Sequence, residues 1–557
     1  MSPGADAFRA MRDLLLDPQL SPSEKRRRFR WPAPVPFNWA LDWFDGVLAN
    51  DSATGDRPAL RIREAARGGR ETSLSFRELA SRSSRIANLL ARLGLTRGDR
   101  LLVMLRNEPA LWAVQLACFK AGVTVLPASP LLAPHELRDR LTRGVARCVV
   151  ARGALAGILD AARFEGLRLT PESEPPPGWR GLAEADAHDP SFRPCGQTAP
   201  DDPLLLYFTS GTTALPKLVL HTHRSYPVGS LSTMHWLGLR PGDTHLNVSS
   251  PGWAKHAWSS MFAPWSAGAT VAVLEQDRFE PAPLLRALDE MAVTTFCAPP
   301  TVWRHLVGHG LGARPGCLRE AVSSGEPLNA SVIGAVARSW DLRVRDGYGQ
   351  TETTAMVGHV PGAVGELGSM GRPLPGYPIV LLDAEGREAA EGEIALRLEA
   401  GRPAGLTPSA AVSGEGIYRT GDVARRNADG TLTFVGRVDD VFKSSDYRVS
   451  PFELESALVA HPAVREAAVV PMADALRLAV PQAFVLLEAD RTADAATAEL
   501  LFKHLKGRLS PYQRIRRIIF VEALPKTLSG KIRRRDLRAE GSDSELGRFE
   551  EPAANRA

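Results

Sequence analysis

L-L-L-Y-F-T-S-G-T-T-A-L-P-K, from Leu204 to Lys217, is the stretch on which the reading of this chain turns. Its apolar and aromatic first half has the character of a buried strand, and it stops abruptly in hydroxyls, one glycine, a proline and a lysine. A strand that ends in such a loop is built to hold phosphate. Thr209, Ser210, Thr212 and Thr213 supply hydroxyl donors, Gly211 lets backbone N–H groups approach an anion closely, and Lys217 adds a compact positive charge. The spacing does not fit the G-x-x-x-x-G-K-[ST] frame of a Walker loop. Taken alone, the segment also reads as a Ser/Thr-rich surface turn.

Outward from this loop, strands alternate with helices. Ser75 and Glu78 form an S-x-x-E capping box, Leu74 and Leu79 can staple across it, and Gly94 stands where the helix should end. Strand Arg100–Leu105, helix Pro109–Lys120, strand Val123–Leu126, helix Pro134–Thr142 and strand Arg147–Ala151 follow. Beyond a polar, proline-rich excursion, the phosphate-loop strand is expected to open a second set, running to a strand at Glu320–Ser323. The expectation is an α/β fold, with two packed, mainly parallel sheets and ligand at the carboxyl ends of their strands. Upstream, residues 1–36 read as a short helix at Leu14–Leu16 and an extended arm. Phe37–Leu48 reads as a helix whose Trp39 and Trp43 are core. From Ile379 short alternating runs suggest antiparallel strands, a small β-barrel, and after Gly436 a small α+β domain follows. The expected division is 1–436, 437–540 and a polar, disordered tail over 541–557.

Composition narrows the function. At 557 residues, 44% hydrophobic and 24% charged, the chain is an ordinary globular protein of at least two domains. A net charge of +5 is too small to suggest nucleic-acid binding, and the basic stretch Lys503–Arg538 lacks interleaved aromatic platforms, although it suits a polyphosphate ligand. Cys118, Cys148, Cys195, Cys297 and Cys317 show no metal-ligand spacing, and His221 and His223 have no partner at such spacing either. No apolar run reaches membrane-spanning length and no signal sequence stands at the N-terminus, so a cytoplasmic enzyme is expected.

Four further stretches carry chemistry. D-G-Y-G-Q-T-E-T (Asp346–Thr353) offers an aromatic face, a hydroxyl and a carboxylate within a few residues. Y-R-T-G-D (Tyr418–Asp422) places a carboxylate in a tight turn. G-R-V-D-D (Gly436–Asp440) lies at the domain junction, and P-K-T-L-S-G-K (Pro525–Lys531) presents a lysine in a C-terminal loop. With the opening loop, these motifs resemble, in wording and order, the adenylate-forming superfamily of acyl-CoA synthetases, firefly-type luciferases and peptide-synthetase adenylation domains. The resemblance spans roughly residues 37 to 540 and is nearest in wording to medium-chain acyl-CoA synthetases and aryl-CoA ligases.

The resemblance implies two steps: a carboxylate attacks the α-phosphate of ATP, expelling pyrophosphate, and the thiol of coenzyme A then displaces AMP. It implies that Thr209, Ser210, Gly211, Thr212, Thr213 and Lys217 cradle the β- and γ-phosphates. Gly325, Glu326 and Pro327 would line the adenine slot with Asp346, Gly347 and Tyr348, whose ring stacks on the base. Gly349 and Gln350 lead to Thr351, which would bond the α-phosphate, and Glu352, which would hold Mg2+. Asp422 would take the ribose hydroxyls, with Arg437 and Arg448 nearby. Lys531 would bridge carboxylate and α-phosphate as the principal catalytic residue, and Asp439 would be the hinge about which the C-terminal domain swings. Ser445, Asp446, Tyr447, Arg477 and Lys506 would line the coenzyme A path. Trp253 and Gly349 would border the acyl pocket, where Gly349 replaces the tryptophan of acetate-specific relatives and leaves room for a larger acid.

Two positions depart from the family. Ala214 stands in the phosphate loop where glycine is usual, and Asp446 stands where relatives have glycine beside the pantetheine path. The second leaves a carrier-protein thiol open as the alternative acceptor, and a noncatalytic nucleotide-binding relative is the alternative of another class. If Asp446 hinders the thiol step, Asp446→Gly raises thioester formation while AMP-forming adenylation stays constant. Separate assays of acyl-adenylate and thioester check this, and an unchanged thioester rate would contradict it.

Overall fold

The capping box at Ser75 forms as its sequence requires: Ser75 Oγ accepts from the Glu78 N–H at 3.2 Å, and the Glu78 carboxylate accepts from the Ser75 N–H at 2.8 Å. It opens the helix Phe76–Arg92, which closes through left-handed Gly94, with φ +85°, and a Leu95 N–H to Leu90 carbonyl bond of 3.0 Å. The structure is a computed structural model and describes residues 2–65, 69–209, 216–363, 365–399, 401–444, 447–474, 477–506, 508–526, 532–539 and 545–552. It divides into two units, residues 1–378 with 397–418, and residues 379–396 with 419–557.

In the first unit the described strands form two sheets. The seven-stranded sheet runs, in spatial order, Arg180–Gly181, Leu167–Thr170, Cys148–Ala151, Arg100–Met104, Thr124–Pro127, Pro203–Thr209 and Lys217–Thr222, parallel except for the last pair. The nine-stranded sheet has a parallel centre containing Thr244–Asn247, Thr295–Ala298, Glu320–Ser324 and Val344–Gly349. Two mainly parallel sheets therefore stand as expected, but their membership differs. The phosphate-loop strand Pro203–Thr209 belongs to the first sheet, pairing Leu205 with Val125, instead of opening the second. The second sheet gains Pro58–Glu64 and Glu71–Ser75 at its edge, pairs that the sequence hid because the outer strand is mostly polar and half-exposed.

Near the N-terminus the extended arm is replaced by helices. Pro3–Leu16 is a single helix capped by Ser2, and Pro22–Arg28 follows behind a Ser21/Glu24 capping box. Phe8 buries its ring against Trp43 at a centroid distance of 4.9 Å, which fixes the first helix on the core. Trp39 and Trp43, on the π-type helix Trp39–Ala49, are core as expected, and Trp43 Nε1–H donates to the Trp265 carbonyl at 3.1 Å. Among the described residues no helix is long and apolar enough to cross a membrane.

In the second unit, strands from Ile379 to Arg437 form a four-stranded antiparallel sheet in sequence order where a small barrel was expected. The boundary expected at residue 436 falls inside this unit. The C-terminal sheet holds Val464–Asp474, Leu478–Leu487 and Arg517–Val521 around a core that includes Val469, Val485, Phe502 and Ile518. Residues 545–550, expected to be disordered, form its fourth strand, antiparallel to Arg517–Val521. Its stabilisation comes from backbone pairing, the Phe520–Phe549 contact at 5.5 Å and an Arg517–Glu550 ion pair at 2.6 Å, none of which needs an apolar sequence pattern.

Burial in the first unit has a cost in acid. His221, His223, His235, His245, His256 and His359 are all buried, and burial lowers their pKa values from 6.5 to about 3 or 4. Above pH 6.5 these rings are neutral in both states. Below it the unfolded chain binds protons that the folded chain refuses, so stability falls, by up to about 1.4 kcal/mol per ring and pH unit, down to the folded values. The melting temperature is expected to be clearly lower at pH 5.0 than at pH 7.5, and equal values would contradict this account.

Candidate active site

The hairpin expected to hold phosphate is anchored at its neck. Pro203–Thr209 and Lys217–Thr222 pair antiparallel with Thr209 opposite Lys217, so these two residues stand at the base of the loop between them. Ser210, Gly211, Thr212, Thr213 and Ala214 lie outside the described residues. Arg143, unassigned from sequence, supports the hairpin by donating to the Pro216 carbonyl at 2.8 Å and lying with Arg140 over the Phe208 ring.

Val344–Gly349 ends at the carboxyl edge of the nine-stranded sheet and brings Asp346, Gly347, Tyr348 and Gly349 there. Asp346 is buried; its carboxylate accepts from the Gly347 N–H at 2.9 Å, and burial pushes its pKa up to about 7. The Leu328 N–H also points at that carboxylate, at 3.4 Å, which joins the S-S-G-E-P turn to the strand. Gly325 there is left-handed at φ +112°, and Glu326 and Pro327 keep accessible surface, Glu326 lying 3.5 Å from Arg304. Tyr348, Gln350, Thr351 and Glu352 are partly accessible, while Thr353 is buried beneath them.

The turn after the strand is held at each residue. Tyr418 O–H donates to Gln350 Oε1 at 2.8 Å, the Thr351 carbonyl meets His221 Nε2 at 2.7 Å, and the Thr407 N–H donates to the Glu352 carbonyl at 2.8 Å. Because a carbonyl only accepts, His221 carries its proton on Nε2. Burial keeps the ring neutral, leaving Nδ1 to accept from the Ser225 hydroxyl at 3.0 Å. The hairpin strand and the Thr351–Glu352 turn are thereby joined directly.

Trp253, expected to border the acyl pocket, precedes the short helix Ala254–Ala257 and is partly accessible. Gly349 is exposed at a bulge, and a Cβ added there would stand 2.4 Å from the Thr354 carbonyl oxygen. Close backbone approach thus accounts for this glycine as well as pocket room does. Lys255, which sequence reasoning missed, donates to the Ser324 carbonyl at 3.3 Å, and burial lowers its pKa against the opposing pull of Cys297, Glu326 and Asp346. A lysine beside a histidine within the tryptophan- and alanine-flanked W-A-K-H-A-W run was the available signal.

Within the second unit, Asp422 and Arg437 come together across paired strands, Arg437 Nη1 lying 3.1 Å from Asp422 Oδ1. Asp439 is exposed; its carbonyl accepts from Arg538 at 3.2 Å, while Asp440 pairs with the same arginine at 2.7 Å. Arg477 directly precedes the strand Leu478–Leu487, and Lys506 ends the helix Ala495–Lys506. Tyr447 and Arg448 stand on the strand Tyr447–Val449. Ser445, Asp446 and Lys531 lie outside the described residues.

A parallel α/β frame that gathers an aspartate, an aromatic ring, a hydroxyl and a carboxylate near the carboxyl edge of one sheet has the ligand-site arrangement of an α/β enzyme. Residues 49–400 match the AMP-binding enzyme family and residues 453–531 match the AMP-binding enzyme C-terminal domain. The chain belongs to this adenylate-forming family of AMP-binding enzymes, among its acyl-CoA synthetases. It is 40% identical over 520 residues to 4-hydroxybutyrate--CoA ligase 1 of Metallosphaera sedula, covering 90% of each chain. It is 36% identical over 536 residues to the mitochondrial acyl-coenzyme A synthetase ACSM3 of Mus musculus, covering 92% of each. Among solved structures, a benzoate CoA ligase from Burkholderia xenovorans superposes with a TM-score of 0.78 at 29% identity, over 90% of this chain and all of that one.

The packing under the site is tight enough to test. A Cβ on Gly347 would meet the Trp236 ring at 2.3 Å, whereas one on Gly157 would meet nothing within 4 Å. Gly347→Ala is expected to destabilise the first unit by about 1–3 kcal/mol in denaturant melts. Gly157→Ala, in a helix, should be neutral or stabilising by up to about 1 kcal/mol. Equal effects would contradict the packing described.

Proposed function

We propose that the protein forms acyl-CoA from a medium-chain or aromatic carboxylate, ATP and coenzyme A. The observation that carries this reading is the union of the phosphate hairpin with the Thr351–Glu352 turn through the 2.7 Å His221 contact. Triphosphate and α-phosphate ligands then belong to one framework. In the first step a carboxylate oxygen attacks the α-phosphorus, the bond to the bridging oxygen breaks, and pyrophosphate leaves toward Thr209 and Lys217. In the second, the coenzyme A thiol, losing its proton, attacks the acyl carbon and AMP departs.

Positioning and charge stabilisation supply the catalysis. Thr351 orients the α-phosphate, Tyr348 and Asp346 take the adenine side, and Asp422 and Arg437 the ribose side. Lys531 offsets the negative charge that accumulates as carboxylate meets phosphate, and Asp439 is the hinge between steps. Glu352 suits Mg2+ because its partly accessible side chain offers a hard carboxylate oxygen donor. A single accessible carboxylate beside phosphate is how this ion is commonly held. Bound there, Mg2+ would neutralise phosphate charge.

The acceptor alternative is a carrier-protein thiol, favoured only by Asp446. Retention of Glu352, Asp422 and Lys531 opposes a noncatalytic role. Five unpaired cysteines suit a reducing compartment, and we read the protein as cytoplasmic. A panel of C2 to C12, aromatic and 4-hydroxy acids with ATP, scored for AMP and for thioester, tests the reading. Lys531→Ala should lower adenylation at least about 10²- to 10³-fold, roughly 3 to 4 kcal/mol, while sparing ATP binding. Near wild-type adenylation by that variant would overturn the assignment.

A further inference from the structure

The reaction proposed above uses neither His221 nor His223. His221 nevertheless occupies a specific place. It lies fully buried on the strand that leaves the phosphate loop, four residues after Lys217, and both its ring nitrogens are engaged. Nε2–H reaches the Thr351 carbonyl at 2.7 Å, and Nδ1 is held by Ser225, whose Oγ in turn accepts from the Thr222 N–H at 2.8 Å. The Tyr226 ring, 4.3 Å away between centroids in a T-shaped arrangement, restricts the remaining freedom of the imidazole.

A second tie runs in parallel. The Leu220 N–H donates to Ser409 Oγ at 3.1 Å, the Leu220 carbonyl accepts from the Thr407 hydroxyl, and the Thr407 N–H donates to the Glu352 carbonyl at 2.8 Å. Two successive residues of the strand therefore restrain two successive carbonyls of the turn. One tie is a side chain in direct contact, and the other passes through the segment at Thr407–Ser409.

We propose that His221 is a positioning residue for adenylation: its Nε2–H fixes the Thr351–Glu352 peptide in register with the hairpin that carries Thr209 and Lys217. The Thr351 hydroxyl and Glu352 carboxylate then meet a triphosphate already held by that hairpin. The role acts through the backbone of Thr351, so it is sensitive to the position of one donor atom and not to the imidazole as an acid or base. This inference rests on the adenylation reading above.

The test exploits the two amide surrogates of histidine. The amide nitrogen of glutamine falls near Nε2, and that of asparagine near Nδ1. Carboxylate-dependent ATP–pyrophosphate exchange is measured for wild type, His221→Gln, His221→Asn and His221→Ala, with the ATP KM and melting temperature of each. The Gln variant is expected to retain most of the exchange rate. The Asn and Ala variants should lose about 10- to 100-fold in kcat with ATP KM within about threefold of wild type. Asn exchanging as well as Gln, or all three losing rate in proportion to melting temperature, would overturn the inference, since packing alone would then explain the residue. A wild-type protein that exchanges with no carboxylate would overturn the adenylation reading and this inference together. Wild-type exchange with an unaffected Asn variant would overturn this inference alone.

Discussion

Parallel strands deliver their carboxyl ends to one edge of a sheet, and there each chain must turn away with its backbone groups satisfied by something other than the ladder. In the first unit this constraint produces the site. Thr295–Ala298, Glu320–Ser324 and Val344–Gly349 run side by side, so S-S-G-E-P and G-Q-T-E emerge at neighbouring places although 19 residues lie between Ser324 and Val344 in the chain. Backbone groups freed at that edge are taken up by Asp346, His221 and Thr407, and the same bonds that satisfy them fix the turn.

Buried polar groups in this unit are consequently structural instruments. His245 lies between Thr295 and Ser259, His256 meets Asn107, and Lys120 is enclosed with Asp45 and the hydroxyls of Ser83 and Ser84. Removing one partner from such a set leaves the other desolvated and unmatched, which costs far more than the bond contributes. The polar layer thus discriminates against misregistered sheets more sharply than its net stabilisation suggests.

What was legible in the sequence was local or strongly apolar. The Ser75 capping box, the continuous runs of the central parallel strands and the ordered motifs each carry their structure within a few residues. What was hidden depends on partners far away. Glu71–Ser75 is a strand because Pro58–Glu64 lies beside it, and Pro203–Thr209 joins the first sheet because Thr124–Pro127 accepts it, a choice periodicity cannot make. Helix Pro3–Leu16 needed Trp43 to hold Phe8. Lys255 and Arg143 carry no motif, and only the folded neighbours of each reveal what it touches. Gly349 was read as space for substrate, whereas the Thr354 carbonyl supplies an independent reason for it.

The strand Glu545–Glu550 has a meaning beyond its own residues. Without it, Arg517–Val521 would present an unpaired ladder of N–H and C=O groups along an apolar strand, a template for pairing with another chain. The added strand moves that edge outward to six residues bearing Glu545, Arg548 and Glu550, charges that oppose addition of a further strand. The polar C-terminal segment thus serves as a guard against aggregation, and its poverty in apolar residues is the property that suits it to the edge.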